Sequence, residues 1–245
     1  MISAVILTKN EEKVIDKCIK GVVWCDEIVI IDDYSSDNTL EKIRKLKIGK
    51  VKIYKHYLND DFARQRNYGL AKAKGDWILF VDADEVVRPL LAEEIGQKIE
   101  GSHMNGFWIK REDYFLGKNL RFGETGKVKL VRLARKGAGK WERKVHEYWE
   151  VKGEIGELKN PICHNAHSDL RDFVDNINYF SSMHADALKK EGKRSNLVKI
   201  IVWPVGKFWV NYVLKLGFLD GMAGFIMAFL MSFHSFLAWS KQWKH

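Results

Sequence analysis

The sequence predicts an α/β protein with a doubly wound, mainly parallel sheet and helices on both faces, followed by an α-helical, membrane-associated C-terminal region. Two observations predict this fold. Short apolar runs alternate with helical patterns in β-α-β-α-β-α-β order along the first part of the chain. In the last third, long apolar helical stretches replace that alternation. We therefore divide the 245 residues into a domain at 1–167 and a helical region at 168–245.

The alternating elements follow one another without a low-complexity linker or an internal repeat. Four short apolar runs are typical of buried parallel strands, and they lie at about residues 3–7, 27–31, 51–54 and 77–81. Residues with helical spacing lie between them and predict three helices, near residues 15–22, 40–46 and 61–73. With 46% hydrophobic residues, the chain has enough apolar side chains for a sizeable core.

Polar side chains follow three of these strands at their C-terminal ends. Thr8 ends the first strand, Asp32 and Asp33 end the second, and Asp82 and Asp84 end the fourth. Asp82 and Asp84 are two residues apart and point to the same side if the strand geometry continues. Unpaired buried carboxylates are costly, whereas Mg²⁺ takes carboxylate oxygens together with substrate phosphates. Because ligands bind beyond these strand ends in doubly wound sheets, the pattern predicts a seat for a metal-bound diphosphate. The alternative is a solvated acidic turn.

Seven motifs carry a resemblance to a known family. The first four are residues 7–11 (LTKNE), 31–37 (IDDYSSD), 63–69 (ARQRNYG) and 74–85 (KGDWILFVDADE). On these motifs the chain resembles the family 2 glycosyltransferases, inverting enzymes with a GT-A fold. The other three are residues 145–147 (VHE), 161–164 (PICH) and 212–221 (YVLKLGFLDG). On these it looks most like the lipopolysaccharide core β-1,4-glucosyltransferase group, from which residues 165–167 (NAH) depart.

The resemblance implies a nucleotide-sugar donor site at the strand ends. Carboxylates suit such a site because they accept hydrogen bonds from ribose hydroxyls or a uracil N–H. Arg66 would face the diphosphate or the base, and its alternative role is that of a surface helix arginine. The substrate-binding residues implied in this way are Thr8, Asn10, Glu11, Asp32, Asp33, Arg66 and Asp82.

The resemblance also implies a metal ligand and a catalytic base. Asp84 is the predicted ligand of Mg²⁺ or Mn²⁺, and His164 is either a further ligand or a structural histidine. The base that takes the acceptor proton is sought among Glu124, His146 and Glu147. Glu147 is placed first and His146 second. His146 would otherwise contact the phosphates or cap a loop.

The net charge limits the classes of binding partner that we expect, and the cysteines indicate the redox state of the compartment. The 41 Lys and Arg against 32 Asp and Glu give a net charge of +9, which suits anionic lipid, a phosphorylated substrate or nucleic acid. No nucleic-acid motif is present, so we expect no nucleic-acid partner. Cys18, Cys25 and Cys163 form no ligand spacing, which favours buried thiols in a reducing compartment. The N-terminus does not have the pattern of a signal peptide.

The last third begins with an amphipathic helical pattern from Leu170. Next, Lys207, Asn211 and Lys215 are spaced by four and form one polar stripe on an otherwise apolar, Trp-rich helix, as in a helix lying on anionic lipid. Residues 221–239 then carry no formal charge. These features predict a monotopic hairpin in the membrane surface. A transmembrane helix and a helix buried in a soluble dimer are the alternatives.

Together these features predict a metal-dependent inverting hexosyltransferase at the cytoplasmic face of the inner membrane. It would move glucose from UDP-glucose onto a lipid-linked saccharide such as the lipopolysaccharide inner core. Two alternatives remain, transfer of a sugar to polyprenyl phosphate and a catalytically inactive membrane scaffold. The predicted partners are the nucleotide-sugar donor, the lipid-linked acceptor and an anionic membrane surface, and a homo-oligomer is left open.

Overall fold

The structure, a computed structural model, describes three stretches of the chain, residues 1–144, 147–167 and 170–243. The chain forms two compact units. The first unit comprises Met1–Arg111 and Lys129–His164, and the second comprises Glu112–Val128 and Asn165–His245. The domain boundary expected after residue 167 stays a prediction.

The first unit begins with the predicted alternation of strands and helices. Its strands are β1 (Ile2–Thr8), β2 (Glu27–Asp32), β3 (Val51–Lys55) and β4 (Trp77–Asp82). The helices between them are α1 (Ile15–Gly21), α2 (Thr39–Lys45) and α3 (Phe62–Lys72). The four strands are parallel and lie in the order β3-β2-β1-β4. Thr8 pairs with Asp32 and Leu7 with Asp82, so the carboxyl ends of β1, β2 and β4 meet at one edge. This confirms the doubly wound, mainly parallel sheet.

One helix and eight strands follow β4, and most of these strands pair antiparallel. The helix is α4 (Pro89–Ile99), and the strands are β5 (Glu85–Val86), β6 (Gly106–Phe115), β7 (Lys118–Leu120), β8 (Lys129–Arg135), β9 (Gly139–Glu142), β10 (Tyr148–Val151), β11 (Ile155–Glu157), which pairs parallel with β6, and β12 (Ile162–His167). Strand β8 pairs antiparallel with β4 and with β6. Strands β9 and β10 form a separate antiparallel pair, and β12 pairs with β5 through His164 and Glu85. The end of β4 is therefore flanked by β1 on one side and by β8 on the other.

The core of the first unit lies on both faces of the sheet. Successive residues of a strand point to opposite faces, and Val5 and Ile6 accordingly belong to different apolar clusters. The cluster around Ile6 includes Ile19 of α1 and Leu91 of α4, and the cluster around Val5 includes Phe80. Each fully buried side chain of this size contributes about 1.5–3 kcal/mol. The strands thus form a rigid base for the polar residues at their ends.

The second unit is mainly helical. It contains α5 (Leu170–Lys190), α6 (Leu197–Trp209), a π-helical turn (Val210–Leu214), a 3-10 turn (Gly217–Asp220) and α7 (Gly221–Gln242). The amphipathic helix predicted from Leu170 is confirmed by α5, whose buried residues recur at helical spacing. Two stretches, Leu197–Leu214 and Gly217–Gln242, are long and apolar enough to cross a membrane by length and composition.

Two of the three residues of the predicted polar stripe, Lys207 at the end of α6 and Asn211 in the π-helical turn, do not face outward. Asn211 is 3% exposed, and its Nδ2 donates to Glu124 Oε2 at 3.0 Å. Lys207 Nζ lies 3.3 Å from the same oxygen. The prediction that this stripe contacts anionic lipid is therefore wrong for Lys207 and Asn211, whereas Lys215 is exposed and its contact with lipid stays a prediction. The spacing revealed two faces, but Glu124, which neutralises Lys207, comes from a distant part of the sequence.

A second contact fastens the start of α7 to the same loop. Asp220 is 3% exposed, and its Oδ2 accepts the backbone N–H groups of Arg121 and Phe122 at 3.0 and 2.9 Å. Its backbone carbonyl accepts from Lys118 Nζ at 2.8 Å. The loop after β7 is therefore held by groups from both C-terminal helices.

Candidate active site

The candidate site lies at the carboxyl ends of β1, β2 and β4 in the first unit. Asp82 is the last residue of β4, and two buried arginines hold its carboxylate. Arg66 of α3 donates from Nη2 to Asp82 Oδ1 at 2.9 Å. Arg132 of β8 donates from Nη2 to Asp82 Oδ2 and lies 3.5 Å from Glu85 Oε1. Each arginine side chain is 4% exposed, so the ion pairs are shielded from solvent.

Glu147 belongs to the same charge cluster. Its Oε1 accepts from Arg66 Nε at 2.9 Å and lies 2.9 Å from Arg66 Nη2. The Glu147 side chain is 16% exposed. Arg66 therefore lies between Asp82 and Glu147, and one guanidinium orients both carboxylates.

The arginines fix the ionisation of this cluster. Burial alone would raise the pKa of the Asp82 carboxyl, but Arg132 and Arg66 hold it well below its usual range. Burial raises the pKa of Glu85, and Arg132 opposes that shift. Burial would lower the pKa of Arg132, but Asp82 and Glu85 raise it above its usual range. At neutral pH Asp82 is thus a carboxylate and Arg132 a cation.

Aromatic rings line the inner side of the cluster. The Arg66 guanidinium lies 4.6 Å from the centre of the Trp141 ring, and that of Arg132 lies 6.0 Å from it. Trp141 stacks on Trp149 with centroids 5.5 Å apart, and Phe80 meets both rings edge-on. Stacking of this kind holds planar guanidinium groups in a fixed orientation.

The carboxylate of Asp84 meets His164. Strand β4 ends at Asp82 and a turn follows, so the strand geometry on which the expectation of a shared side depended does not continue to Asp84. Asp84 Oδ2 lies 3.3 Å from His164 Nε2. Burial would raise the pKa of Asp84, but His164 lowers it below its usual value. A carboxylate oxygen and an imidazole nitrogen therefore converge at this point.

The opening motif brings a further carboxyl group to this edge. Glu11 donates its backbone N–H to Thr39 Oγ1 at 2.7 Å. Burial, and then the charges of Asp84, Asp37 and Asp82, raise the pKa of Glu11 from its usual range to about 7. The edge thus carries an excess of negative charge, which a bound cation would relieve.

Three predicted donor-binding residues also order the loops around the site. Both carboxylate oxygens of Asp32 accept from the Ser35 N–H, at 3.2 and 3.1 Å. Asp33 accepts from Lys9 Nζ at 2.6 Å and from the Leu58 N–H at 3.0 Å. The Asn10 amide oxygen accepts the Ser36 N–H at 2.8 Å. These bonds hold the loops after β1, β2 and β3 together.

Three polar atoms on Thr8 and the two arginines are buried without a partner, as are the indole N–H groups of Trp141 and Trp149. The three are Thr8 Oγ1, Arg66 Nη1 and Arg132 Nε, and none has a hydrogen bond within the part of the chain that the structure describes. Each unmet group of this kind costs about 1–3 kcal/mol. Two of the three are cationic donors, so a phosphate-bearing ligand would match them.

The match to known families decides what kind of protein this is. Residues 3–154 match the family model described as Glycosyl transferase family 2. The chain belongs to this family. The lipopolysaccharide core biosynthesis glycosyltransferase LpsC of Rhizobium meliloti is 27% identical over 98% of this chain and 91% of its own length. An uncharacterized glycosyltransferase of Rickettsia typhi is 26% identical over 98% of this chain and 86% of its own length.

Solved structures show the fold of this family 2 glycosyltransferase. S. aureus TarS 1–349 in complex with UDP-GlcNAc matches with a TM-score of 0.53 and 15% identity, over 100% of this chain and 92% of that chain. The mannosyltransferase PcManGT of Pyrobaculum calidifontis, in complex with GDP-Man and Mn²⁺, matches with a TM-score of 0.54 and 10% identity. It covers 98% of this chain and 86% of that chain. These matches confirm the GT-A fold.

The glycosyltransferase brings most of the residues predicted as its site to one edge, and their roles stay predictions. His146 lies outside the described residues. Glu124 belongs to the second unit, where it contacts Lys207 and Asn211. The sequence analysis missed Arg132, although a lone arginine between Val131 and Leu133 in a buried strand pattern was a signal.

Proposed function

We propose that this family 2 glycosyltransferase moves a hexose, glucose from UDP-glucose, onto a lipid-linked saccharide such as the lipopolysaccharide inner core, with inversion. The observation that carries the proposal is the edge where Asp82 lies between Arg66 and Arg132 and Asp84 meets His164. The relative LpsC, named for lipopolysaccharide core biosynthesis, supports the acceptor class. The UDP-GlcNAc complex of TarS supports a nucleotide-sugar donor.

Asp84 and His164 would hold the divalent cation, Mg²⁺ or Mn²⁺. Among the described residues no three His, Cys, Asp or Glu side chains form a metal cluster. This set still fits such a cation, because Mg²⁺ is usually bound by one or two carboxylates, of which Asp84 supplies one, and completes its shell with waters and substrate phosphates. The raised pKa of Glu11 fits the same conclusion. When bound there, the cation would neutralise charge that develops on the departing nucleotide.

The chain's own residues would bind and orient the donor. Arg66 and Arg132 would offer their unpartnered Nη1 and Nε atoms to the diphosphate, since guanidinium groups match phosphate oxygens in geometry and charge. Thr8 Oγ1 would meet a hydroxyl or the base of the nucleoside. Asp33 and Asp82 would accept hydrogen bonds from ribose or uracil.

Glu147 would accept the proton of the acceptor hydroxyl, with His146 as the alternative base. Arg66 holds one carboxylate oxygen of Glu147 and fixes its orientation. A general base must lie within hydrogen-bond reach of the proton it takes, and it contributes about 10²–10⁴-fold to the rate. A carboxylate held by a buried arginine meets the requirement for a fixed position.

We also propose that the enzyme acts at the cytoplasmic face of the inner membrane. Both C-terminal stretches are apolar and long enough to enter a bilayer. A lipid-linked acceptor lies in that bilayer, so an anchored enzyme would meet its substrate by diffusion in two dimensions.

The proposal is tested by incubating the purified protein with a set of nucleotide sugars and measuring nucleotide release with and without acceptor. UDP-glucose with truncated lipopolysaccharide should give the fastest release and a glucosylated product of inverted configuration. Product formation on polyprenyl phosphate instead would replace the acceptor assignment. Absence of turnover with every donor and acceptor, in protein that binds nucleotide, would contradict the proposed reaction.

A further inference from the structure

The C-terminal helices of the second unit, α6 and α7, each expose a stripe of apolar side chains. On α6 the residues at helical spacing are apolar and exposed to solvent rather than buried. They are Leu197, Val198, Ile201, Val202, Trp203, Val205 and Trp209, each between 53% and 63% exposed. On α7, Met222, Phe225, Phe229 and Phe236 form a similar stripe, 40–72% exposed. We call these two stripes the outer face.

Three polar residues of the hairpin, Lys199, Lys207 and Asn211, point to the protein instead, whereas Lys215 is exposed. Lys207 and Asn211 meet Glu124. Lys199 Nζ lies over the Trp239 ring at 4.8 Å and donates to Arg194 O at 2.6 Å. Isolated exposed apolar side chains are ordinary, but a contiguous face of this size marks an interaction surface.

The contacts of α6 make it lie along the surface of the second unit. Near its C-terminal end it meets Glu124, and in its middle Ser232 Oγ donates to Pro204 O at 2.6 Å. Its 18-residue apolar stretch would be about 27 Å long. If α6 crossed a bilayer, Glu124 and the loop that carries it would lie in hydrocarbon, which is costly for charged groups. The outer face therefore suits a helix hairpin that lies in the plane of the interface.

A group of exposed cations lies at one end of this face. We call Lys189, Lys190, Lys193 and Arg194 the basic rim; they join the end of α5 to the start of α6. Lys193 pairs with Glu191 at 2.8 Å. The other three have no salt bridge within the described part of the chain.

Hydrogen bonds fix the helix ends beside the rim. Lys241, from the neighbouring end of α7, is turned inward, where its Nζ is bound by Asn178, Ser181 and Ser182. Ser195 Oγ donates to Trp239 O at 2.8 Å and fixes the junction against α7. The rim is thus a held cluster of outward cations beside an apolar face that ends in aromatic residues.

We propose that the basic rim binds the anionic headgroups of a bilayer while the outer face inserts between its acyl chains. The charge of the rim is complementary to an anionic leaflet, and each basic residue near such a surface strengthens binding about fivefold. Trp203 and Trp209 are of the type enriched at the membrane interface. The rim thereby takes the role that was predicted from the sequence for Lys207 and Asn211.

The test measures co-flotation of the full-length protein with phosphatidylcholine vesicles, with or without anionic phosphatidylglycerol. The rim variant carries K189Q, K190Q, K193Q and R194Q. The control variant removes three lysines and one arginine from the exposed surface of the first unit and carries K17Q, R44Q, K47Q and K98Q. Binding of the rim variant to anionic vesicles should fall about 10²-fold, because each of the three cations without an ion pair contributes a factor of about five and these factors multiply. The control variant should bind as the wild type does.

A second variant, W203S with W209S, separates the apolar contribution. It should weaken binding to both kinds of vesicle, whereas the rim variant should lose only the preference for anionic vesicles. Unchanged anionic binding by the rim variant would overturn the proposal. The proposal would also be overturned if the wild type floated with neither kind of vesicle and instead formed a dimer without lipid. In that case W203S with W209S would dissociate the dimer. Circular dichroism and UDP binding check folding, and because no readout involves sugar transfer, failure of the proposed reaction would be seen separately.

Discussion

Arg132 lies in the middle of a strand whose neighbours Val131 and Leu133 are buried and apolar. Together with Arg66 it keeps Asp82 ionised, and it contacts Glu85 as well. A buried arginine between two carboxylates is costly to desolvate, and breaking such a cluster from one side costs about 3–5 kcal/mol. The cluster is therefore a sensitive point for stability and, under the proposed function, for donor binding.

Replacing Arg132 separates these two contributions. Arg132→Met should destabilise the protein by about 3–5 kcal/mol, because Asp82 and Glu85 lose a buried counter-charge. Arg132→Lys keeps the charge but not the planar fork, so it should fold and yet bind UDP about tenfold or more weakly. Chemical denaturation and calorimetric titration measure the two effects. Wild-type UDP affinity in Arg132→Lys would show that Arg132 has no role in donor binding.

Glu147→Gln tests the proposed base. It keeps the shape of the side chain but removes most of its power to accept a proton, so kcat should fall about 10²–10⁴-fold while donor affinity changes little. The matched control is Glu150→Gln, an exposed carboxylate three residues along. A loss confined to donor affinity would move Glu147 to the donor-binding residues and favour His146 as the base.

At the scale of elements, the sequence predicted the parallel half of the fold well. Apolar runs and helical spacing located β1 to β4 and the helices between them. Buried strands appear as short apolar runs, and in helices the apolar residues recur every three or four positions. Strands β5 to β12 were not predicted individually, and in β8 the buried Arg132 interrupts the apolar run. The predicted orientation of α6 was wrong because the spacing of polar residues reveals two helix faces without showing which one packs against the protein. Glu124, which decides this, lies far away in sequence.

The start of β2 offers an element-scale prediction. Glu27 is 5% exposed and accepts from Ser3 Oγ, Lys52 Nζ and the Lys74 N–H at 2.6, 2.7 and 2.8 Å. Glu27→Gln should cost about 1–3 kcal/mol of unfolding free energy at neutral pH. Urea unfolding measures this cost.

The cost should depend on pH. Burial would raise the pKa of Glu27, but the hydrogen bonds from Lys52, Ser3 and Lys74 lower it. A folded-state pKa below the unfolded one contributes stability at neutral pH, and that contribution is lost as pH falls below about 4. Wild type and variant should therefore converge in acid. As a control, Glu41→Gln removes only an exposed pair with Lys45 and should leave stability unchanged.

At the scale of the whole molecule, the two units hold different sets of the residues predicted to be functional. The residues predicted to bind the donor lie in the first unit, and the apolar hairpin lies in the second. The second unit also includes Glu112–Val128, which the sequence analysis assigned to the first domain. Asp220 and Asn211 hold this segment through Phe122 and Glu124.

Truncation after residue 195 should therefore have two separable effects. The protein should leave the membrane fraction yet still bind UDP. The segment Glu112–Val128 should become sensitive to protease, because its partners Asn211 and Asp220 are gone. Sedimentation, UDP titration and limited proteolysis measure these outcomes. Truncated protein that stays in the membrane pellet would show that the hairpin is not the anchor.

The central claim is that the strand ends bind a nucleotide diphosphate through a cation held by Asp84 and His164. The most direct test is calorimetric titration of UDP in Mn²⁺ and in EDTA, with wild type, Asp84→Asn and the control Asp76→Asn. Asp76 lies just before β4, at its opposite end, and its side chain is 76% exposed. Wild type and Asp76→Asn should bind UDP at least about tenfold more tightly in Mn²⁺ than in EDTA, whereas Asp84→Asn should bind weakly in both. Equal affinity of Asp84→Asn and wild type in Mn²⁺ would contradict the claim.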